Sequence, residues 1–182
     1  MKNYEILNKS DRKRRIKIPE RHSELAELLG ILTGDGFMNY YPKRQAYIIG
    51  IAGNKLKDLE YLENFTSKLI KNLFNLSPRL YLHKSQNTAS LVFRSKSIFY
   101  FLEECGFPTG RKGEISIPKW ILENPDFFKK FIRGVFDTDG HLCLKNKVTG
   151  PSTGEACKVD ETKTAENSGA PLQVKTFVER PS

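Results

Sequence analysis

Acidic residues are scarce beside basic ones in this 182-residue chain: 21 Asp and Glu face 30 Lys and Arg, for a formal charge of +9. That excess points toward a polyanionic partner such as nucleic acid without establishing one, because many basic proteins bind none. Cysteine is scarce too. Cys105, Cys143 and Cys157 are scattered, so they make neither a disulfide framework nor a Cys-x-x-Cys zinc pattern. A reduced, intracellular protein of the cytoplasm or nucleoid is expected. No apolar run approaches the length of a bilayer-spanning helix, and the opening Met1-Lys-Asn-Tyr-Glu-Ile6 lacks the apolar stretch of a secretory signal, so neither a membrane partner nor secretion is expected. What is present, 38% apolar and 28% charged residues, is the composition of a globular chain long enough for one ordinary domain or two small ones.

The charge is unevenly spread. Positions 148–182 sum to −1 and positions 1–147 to +10, so the basicity belongs to the body. The segment 148–182 is rich in Gly, Pro, Thr and Ser, carries one aromatic residue, Phe177, and reads as a poorly ordered tail. Near the other end, Lys9, Arg12, Lys13, Arg14, Arg15 and Lys17 crowd into one stretch. The region 1–15 is therefore read as a basic arm, either solvated or in contact with phosphates.

The body is organised by an internal repeat. Leu28-Leu-Gly-Ile-Leu-Thr-Gly-Asp-Gly36 recurs as Ile132-Arg-Gly-Val-Phe-Asp-Thr-Asp-Gly140, with Gly30/Gly134, Asp35/Asp139 and Gly36/Gly140 identical. Upstream, Ile16-Lys-Ile-Pro19 matches Ile115-Ser-Ile-Pro118 in the same order. Each copy reads as a helix ending at its Asp-Gly. In the first, Ser23 is the expected N-cap, Leu25, Leu28, Leu29 and Leu32 form an apolar stripe, and Ala26, Gly30 and Gly34 form a stripe of small residues. In the second, Asn124-Pro125 reads as a cap and first helical residue, and Gly134 and Thr138 continue the small stripe. Small faces let two helix backbones approach, so these helices are expected to pack together, with Ala26, Gly30, Gly34, Gly134 and Thr138 at the interface. Gly36 and Gly140 would then take the left-handed conformation that stops a helix. Asp35 and Asp139 would lie at two adjacent helix C-termini, where their charges repel each other and the helix dipoles. A hard divalent cation relieves that repulsion and can also bind phosphate oxygens, which suggests metal-assisted phosphodiester chemistry. A single Asp-Gly is usually only a turn; the paired, repeated context is what gives it weight.

Between the two motifs the pattern predicts strands over 38–41 and 45–52, a helix over 56–73, strands over 79–84 and 89–96, and a helix capped by Ser97 and stopped by Gly106. The fold class expected is α+β: an αββαββα repeat with a four-stranded antiparallel sheet, plus the first helix of a second repeat. Alternation puts Leu80, Leu82, Leu91 and Phe93 on one sheet face and Arg79, Tyr81, His83, Arg94 and Lys96 on the other. With Lys43 and Arg44 in the first hairpin, the polar face suits a groove for double-stranded DNA. An ordinary solvated face is the competing reading, and Tyr81 reads equally as packing filler. His83 has no ligand-spaced partner and is not taken as a metal ligand.

These residues resemble the LAGLIDADG (DOD-type) homing endonucleases in their two-motif, single-chain form, over about 16–145. The resemblance implies a pseudo-twofold protein whose motif helices form a central interface and whose sheets straddle DNA. It implies that Asp35 and Asp139 bind Mg2+, with Mn2+ as a substitute, near the scissile phosphates, aided by the carbonyls of Gly34 and Thr138. By position, Asn54 resembles the family's uncharged polar residue and Lys96 its basic residue around the attacking water. No small-molecule cofactor is implied.

The pattern also departs from the family's. After Asp139-Gly140 only 42 residues follow, and past 141–147 they do not read as a second sheet. The expected divisions are thus the arm 1–15, the first repeat 16–114, the start of a second repeat 115–147, and the tail 148–182. A site-specific DNA endonuclease, possessing or having lost activity with its second half, is one reading; a non-catalytic DNA-binding regulator or intron-splicing factor on the same fold is the other. A monomer is expected, or an oligomer if the missing half comes in trans. With neither a nucleophile at Met1 nor a His-Asn end at Arg180-Pro-Ser182, an intein-embedded protein is not expected.

Overall fold

The short basic segment near the N-terminus, read from sequence as an arm, is a docked helix: α1, Lys9–Lys13, capped by Asn8, whose side chain accepts from the Asp11 amide. It is anchored by Asp11, which is fully buried and accepts hydrogen bonds from Ser95 Oγ (3.0 Å) and the Ser97 amide (3.1 Å), 84 and 86 residues away in sequence. Arg15 then takes a left-handed conformation (φ 55°), turning the chain so that Ile16 is buried and the Lys17 amide donates to the Phe74 carbonyl at 3.0 Å. This computed structural model describes residues 8–110 and 116–140, all within one compact unit, Met1–Cys143. The expectations for 141–147 and for the tail 148–182 lie outside the described residues.

The body is α+β. Helix α2 (Ser23–Asp35) leads into strands β1 (Gly36–Tyr41) and β2 (Ala46–Asn54), joined by a 3-10 turn, Pro42–Arg44, that ends at a left-handed Gln45. A π-helical turn, Tyr61–Thr66, opens helix α3 (Ser67–Phe74); strands β3 (Arg79–Leu82) and β4 (Thr88–Arg94) and helix α4 (Lys96–Glu104) follow. The strands form one antiparallel sheet in the order β1-β2-β4-β3. A short helix α5 (Lys119–Leu122) precedes α6 (Pro125–Asp139), the helix of the second motif. No helix among the described residues is long and apolar enough to cross a membrane.

The register sorts the side chains. Met38, Ile49, Ile51, Leu91 and Phe93 share one face, are at most 4% exposed, and lie in the cluster with Leu25, Leu28, Leu29 and Leu32 of α2 and the apolar residues of α3 and α4. Each fully buried aliphatic side chain contributes on the order of 2 kcal/mol, so the helices are held to this face alone. Helix α4 ends as Gly106 (φ 107°) allows: its amide donates to the Glu103 carbonyl and that of Phe107 to the Leu102 carbonyl, both at 3.0 Å.

Several local expectations are corrected. Helix α2 begins at Ser23 itself, after an extended His22, with no side-chain cap. Helix α4 is capped by Ser95, whose Oγ accepts from the Ile98 amide at 3.1 Å, rather than by Ser97, whose amide is taken by Asp11. Strand β4 consequently ends at Arg94, and Lys96 opens the helix instead of extending the strand. Leu56 is 81% exposed because 55–58 form a turn, so the second helix starts later than its apolar spacing suggested. Leu82 is 48% exposed, since it ends a four-residue edge strand. Gly36 and Gly140 are extended (φ −80° and −67°), not left-handed. What demands glycine there is space: a Cβ on Gly36 would overlap the backbone of Leu32, and one on Gly140 the carbonyl of Phe136.

Candidate metal centre and nucleic-acid interface

Helices α2 and α6 meet through their small residues. A Cβ on Gly30 would overlap the Phe131 carbonyl and stand 3.0 Å from the Val135 amide nitrogen. One on Gly134 would overlap the Glu27 carbonyl and lie 3.1 Å from the Gly30 Cα. One turn on, a Cβ on Gly34 would overlap the hydroxyl of Thr138 and lie 3.3 Å from Asp139 Oδ2. Backbone therefore touches backbone along the crossing, with Ala26 fully buried one turn before Gly30. Thr138 Oγ1 donates back to the carbonyls of Gly134 (3.0 Å) or Val135 (3.1 Å), which fixes its side chain against the helix.

The contact runs in parallel sense to the ends of both helices, so the Asp139 carboxylate lies beside Gly34 and Asp35 follows at the next residue. Asp35 is half-buried and Asp139 exposed. Both occupy the last turn of a helix, whose carbonyls carry partial negative charge. Among the described residues no group of three or more His, Cys, Asp or Glu forms a metal-binding cluster; the carboxylates at the two adjacent helix ends are those of Asp35 and Asp139.

An ion-pair network missed from sequence braces the same interface. Glu27 is buried on α2; its Oε2 pairs with Lys130 Nζ at 3.1 Å and its Oε1 with Arg133 Nε at 3.4 Å, while Arg133 also reaches Asp137 Oδ2 at 3.6 Å. Burial, with the nearby Asp137 and Glu27 charges, pushes the Tyr61 phenol well above its usual range. The signal in the sequence was an acid set amid the small residues Ala26 and Gly30, which called for a cation on the facing helix.

The remaining predicted residues fall elsewhere. Arg79, Tyr81 and Arg94 share the sheet face opposite the core with Tyr41, as the pairs Arg79↔Val92, Tyr81↔Ser90 and Ile48↔Arg94 require. Tyr81 is 47% exposed, so it is not packing filler. His83 continues that face just past β3, its Nε2 3.1 Å from Ser90 Oγ. Lys43 and Arg44 are exposed in the β1–β2 turn. Asn54 ends β2 near the carboxylate end of the sheet, where its Oδ1 accepts from the amides of Leu56 (2.8 Å) and Lys57 (3.1 Å) and so closes a turn. Lys96 is not brought to the carboxylates. Ile51 opposes both Gly36 and Leu91, and β4 runs three residues beyond Leu91 to Arg94, roughly 10 Å along the sheet at about 3.3 Å per residue, before Lys96 opens α4 past its end. Its ammonium instead lies 5.8 Å from the Tyr47 ring and 5.9 Å from that of Tyr100. A hydrogen bond to Tyr100, then burial, raises the Tyr47 phenol above its usual range.

Helix α6 also differs from α2 in its apolar stripe. Leu28 and Leu32 are fully buried on α2, whereas their repeat counterparts Ile132 and Phe136 are 43% and 53% exposed on α6. Nothing among the described residues covers that face as the sheet covers α2.

No family model matches the chain. Among curated proteins, it is 30% identical over 139 residues to the tRNA-splicing ligase RtcB of Pyrococcus abyssi, covering 67% of this chain and 14% of that protein. It is 26% identical over 151 residues to the glutamine–fructose-6-phosphate aminotransferase of Methanocaldococcus jannaschii, covering 80% of this chain and 13% of that one. The chain thus spans only a small part of the length of these relatives. Among solved structures, a mesophilic variant of the homing endonuclease I-DmoI aligns with a TM-score of 0.46 at 19% identity, over 64% of this chain and 60% of that one. I-DmoI in complex with DNA and Ca gives a TM-score of 0.46 at 21% identity over 65% and 58% of the two chains, and the complex with DNA and Mn gives 0.43 at 21% over 64% and 61%.

Proposed function

We propose that this chain is a DNA-binding, nuclease-like protein of the LAGLIDADG homing-endonuclease type, hydrolysing phosphodiester bonds of double-stranded DNA at a divalent-metal centre built on Asp35 and Asp139. The observation that carries the reading is the backbone-to-backbone crossing of α2 and α6, which sets two carboxylates at adjacent helix ends. Helix dipoles disfavour two such charges, so the arrangement calls for a cation. The donor set fits one: carboxylate and carbonyl oxygens are hard ligands suited to Mg2+ or Mn2+. Asp35 and Asp139, with the carbonyls of Gly34 and Thr138, would hold it. Such an ion supplies Lewis-acid polarisation of a phosphoryl oxygen and a more acidic bound water.

This chain's own residues supply the rest. The α2–α6 contact fixes both carboxylates on rigid elements. The open sheet face, with Arg79, Tyr81, His83 and Arg94 and the turn residues Lys43 and Arg44, lies against the duplex, its cations on phosphates and its Tyr and His toward base edges. Asn54, at the carboxylate end, orients solvent through the part of its amide not engaged by the turn. Lys96 belongs to the far end of the sheet and acts there on DNA rather than at the centre. The repeat 16–114 is the DNA-holding half, 115–147 begins a second, and the uncovered Ile132 and Phe136 support the reading that this second half lacks its sheet among the described residues. An RNA ligase and an aminotransferase share no chemistry, yet overlapping stretches of this chain match a small part of each. That supports an inserted, separable element and transfers neither activity.

The test is cleavage of a randomised duplex library in Mg2+ or Mn2+ by the wild-type chain and by the Asp35→Asn and Asp139→Asn variants. Cleavage by the wild type and its loss in both variants is expected. Salt-dependent binding with no cut library member under either metal would sink the catalytic reading and leave the non-catalytic DNA-binding one.

A further inference from the structure

Around Arg94, at the end of the sheet away from the carboxylates, three clefts adjoin. The largest, about 500 Å³, lies between α1 and the β1–β2 hairpin and is lined by Arg14, Arg44, Arg94 and Lys96. The second continues past Arg14 and Arg94 to Arg79 on the edge strand, and the third joins Arg44 to Arg94. Five cations thus line one continuous trough, and the acid in its lining, Asp11, is fully buried and already engaged.

Arg14 is held in place unlike an ordinary surface arginine. Its Nη2 pairs with Asp11 Oδ1 at 2.5 Å and its Nη1 donates to the Arg94 carbonyl at 2.7 Å, while 41% of its side chain stays exposed. Asp11 is locked in turn by Ser95 and the Ser97 amide. A guanidinium braced on one side by a buried carboxylate and open on the other has lost its rotamer freedom before any ligand arrives, so binding an anion there orders little more. The cluster of like charges is also unfavourable by itself, which makes a multiply charged anion its natural occupant.

We propose that α1 and the end of the sheet form a dedicated trough for consecutive backbone phosphates of duplex DNA, holding the duplex at a distance from the metal centre, with Arg14 a phosphate ligand and Asp11 its positioning residue. This deepens, and rests on, the reading that the open sheet face holds DNA. It also gives the basic N-terminal segment a function that its composition alone left open: one residue of it, Arg14, completes the trough because the long-range bonds of Asp11 fold the segment back onto the sheet.

The test measures duplex binding by the full chain as a function of salt, for the wild type, Arg14→Gln, Arg94→Gln and, as control, Lys68→Gln on the exposed side of α3. Each lost phosphate contact is expected to lower the slope of log K against log salt by about 0.9, equivalent to about eightfold weaker binding at 0.1 M salt relative to 1 M. Circular dichroism establishes that each variant is folded, and Lys68→Gln should leave the slope alone. Unchanged slopes in folded Arg14→Gln and Arg94→Gln, with salt-dependent wild-type binding, would overturn the trough while leaving the DNA reading intact. If the wild type binds no duplex at low salt, the DNA reading falls and the duplex trough falls with it.

Discussion

Gly30→Ala tests the helix crossing on which the proposed metal centre depends. By intrinsic preference the change should stabilise α2, since Ala is favoured over Gly in a helix by about 0.5–1 kcal/mol. The structure predicts the opposite sign. The new methyl group would overlap the Phe131 carbonyl and press to 3.0 Å on the Val135 amide nitrogen, and both are backbone atoms that no rotamer change can move aside. Helices α2 and α6 must part by about 1 Å, which weakens dispersion along the whole contact, and overpacking of this kind costs about 1–3 kcal/mol. With the unyielding backbone placing the cost at the upper end, the net loss is about 2 kcal/mol, or a fall in Tm of about 8 °C for a domain of this size. Urea and thermal unfolding followed by far-ultraviolet circular dichroism measure it. A variant as stable as the wild type, or more so, would show that the helices do not meet at Gly30 and would remove the geometric basis for pairing Asp35 with Asp139.

Two further predictions concern buried groups. Asp11→Ala removes the acceptor of Ser95 and the Ser97 amide together with the partner of Arg14, so a loss of about 3 kcal/mol in urea unfolding is expected, with Asp11→Asn milder because it keeps an acceptor; a loss below about 1 kcal/mol in both variants would mean that the charge and hydrogen bonds of Asp11 do not anchor α1. Tyr61 has a buried hydroxyl that forms no hydrogen bond among the described residues, and burial raises its phenol pKa above the ordinary value of 10.0. The raised folded value means its contribution is fully present below pH about 10 and is lost as pH climbs from there toward the folded value, because the unfolded chain ionises first. Because it removes a buried hydroxyl that forms no hydrogen bond among the described residues, Tyr61→Phe should be about 1 kcal/mol more stable at neutral pH, and with no phenol to titrate it should lose less stability between pH 10 and 11; a destabilised variant with unchanged alkaline behaviour would contradict the burial of that hydroxyl.

Local chemistry made much of this legible in advance. The Asn124-Pro125 start of α6 and the Gly106 stop of α4 depend on residues within a turn of each other, and both stand where the pattern placed them. The four strands were visible because alternation reports burial on one face. Their ends were not: β4 stops at Arg94 because Asp11, more than eighty residues earlier, takes the Ser97 amide and leaves Ser95 to cap α4. Gly36 and Gly140 are marked by the sequence without their cause, since a crowded backbone and an unusual φ both select glycine and a sequence does not distinguish them.

The sequence by itself determined the repeat, the small-residue stripes, the α+β order of elements and the excess of positive charge, because each is a property of spacing or composition. The tertiary structure alone decided which charges meet. It set Lys96 at the far end of the sheet from Asp35, paired Glu27 with Lys130 and Arg133 across the helix crossing, and braced one arginine of a basic run against a buried carboxylate. Charge and hydrogen-bond partners are chosen by distance in space, and a chain folded through an antiparallel sheet brings together residues whose separation in sequence carries no trace of it.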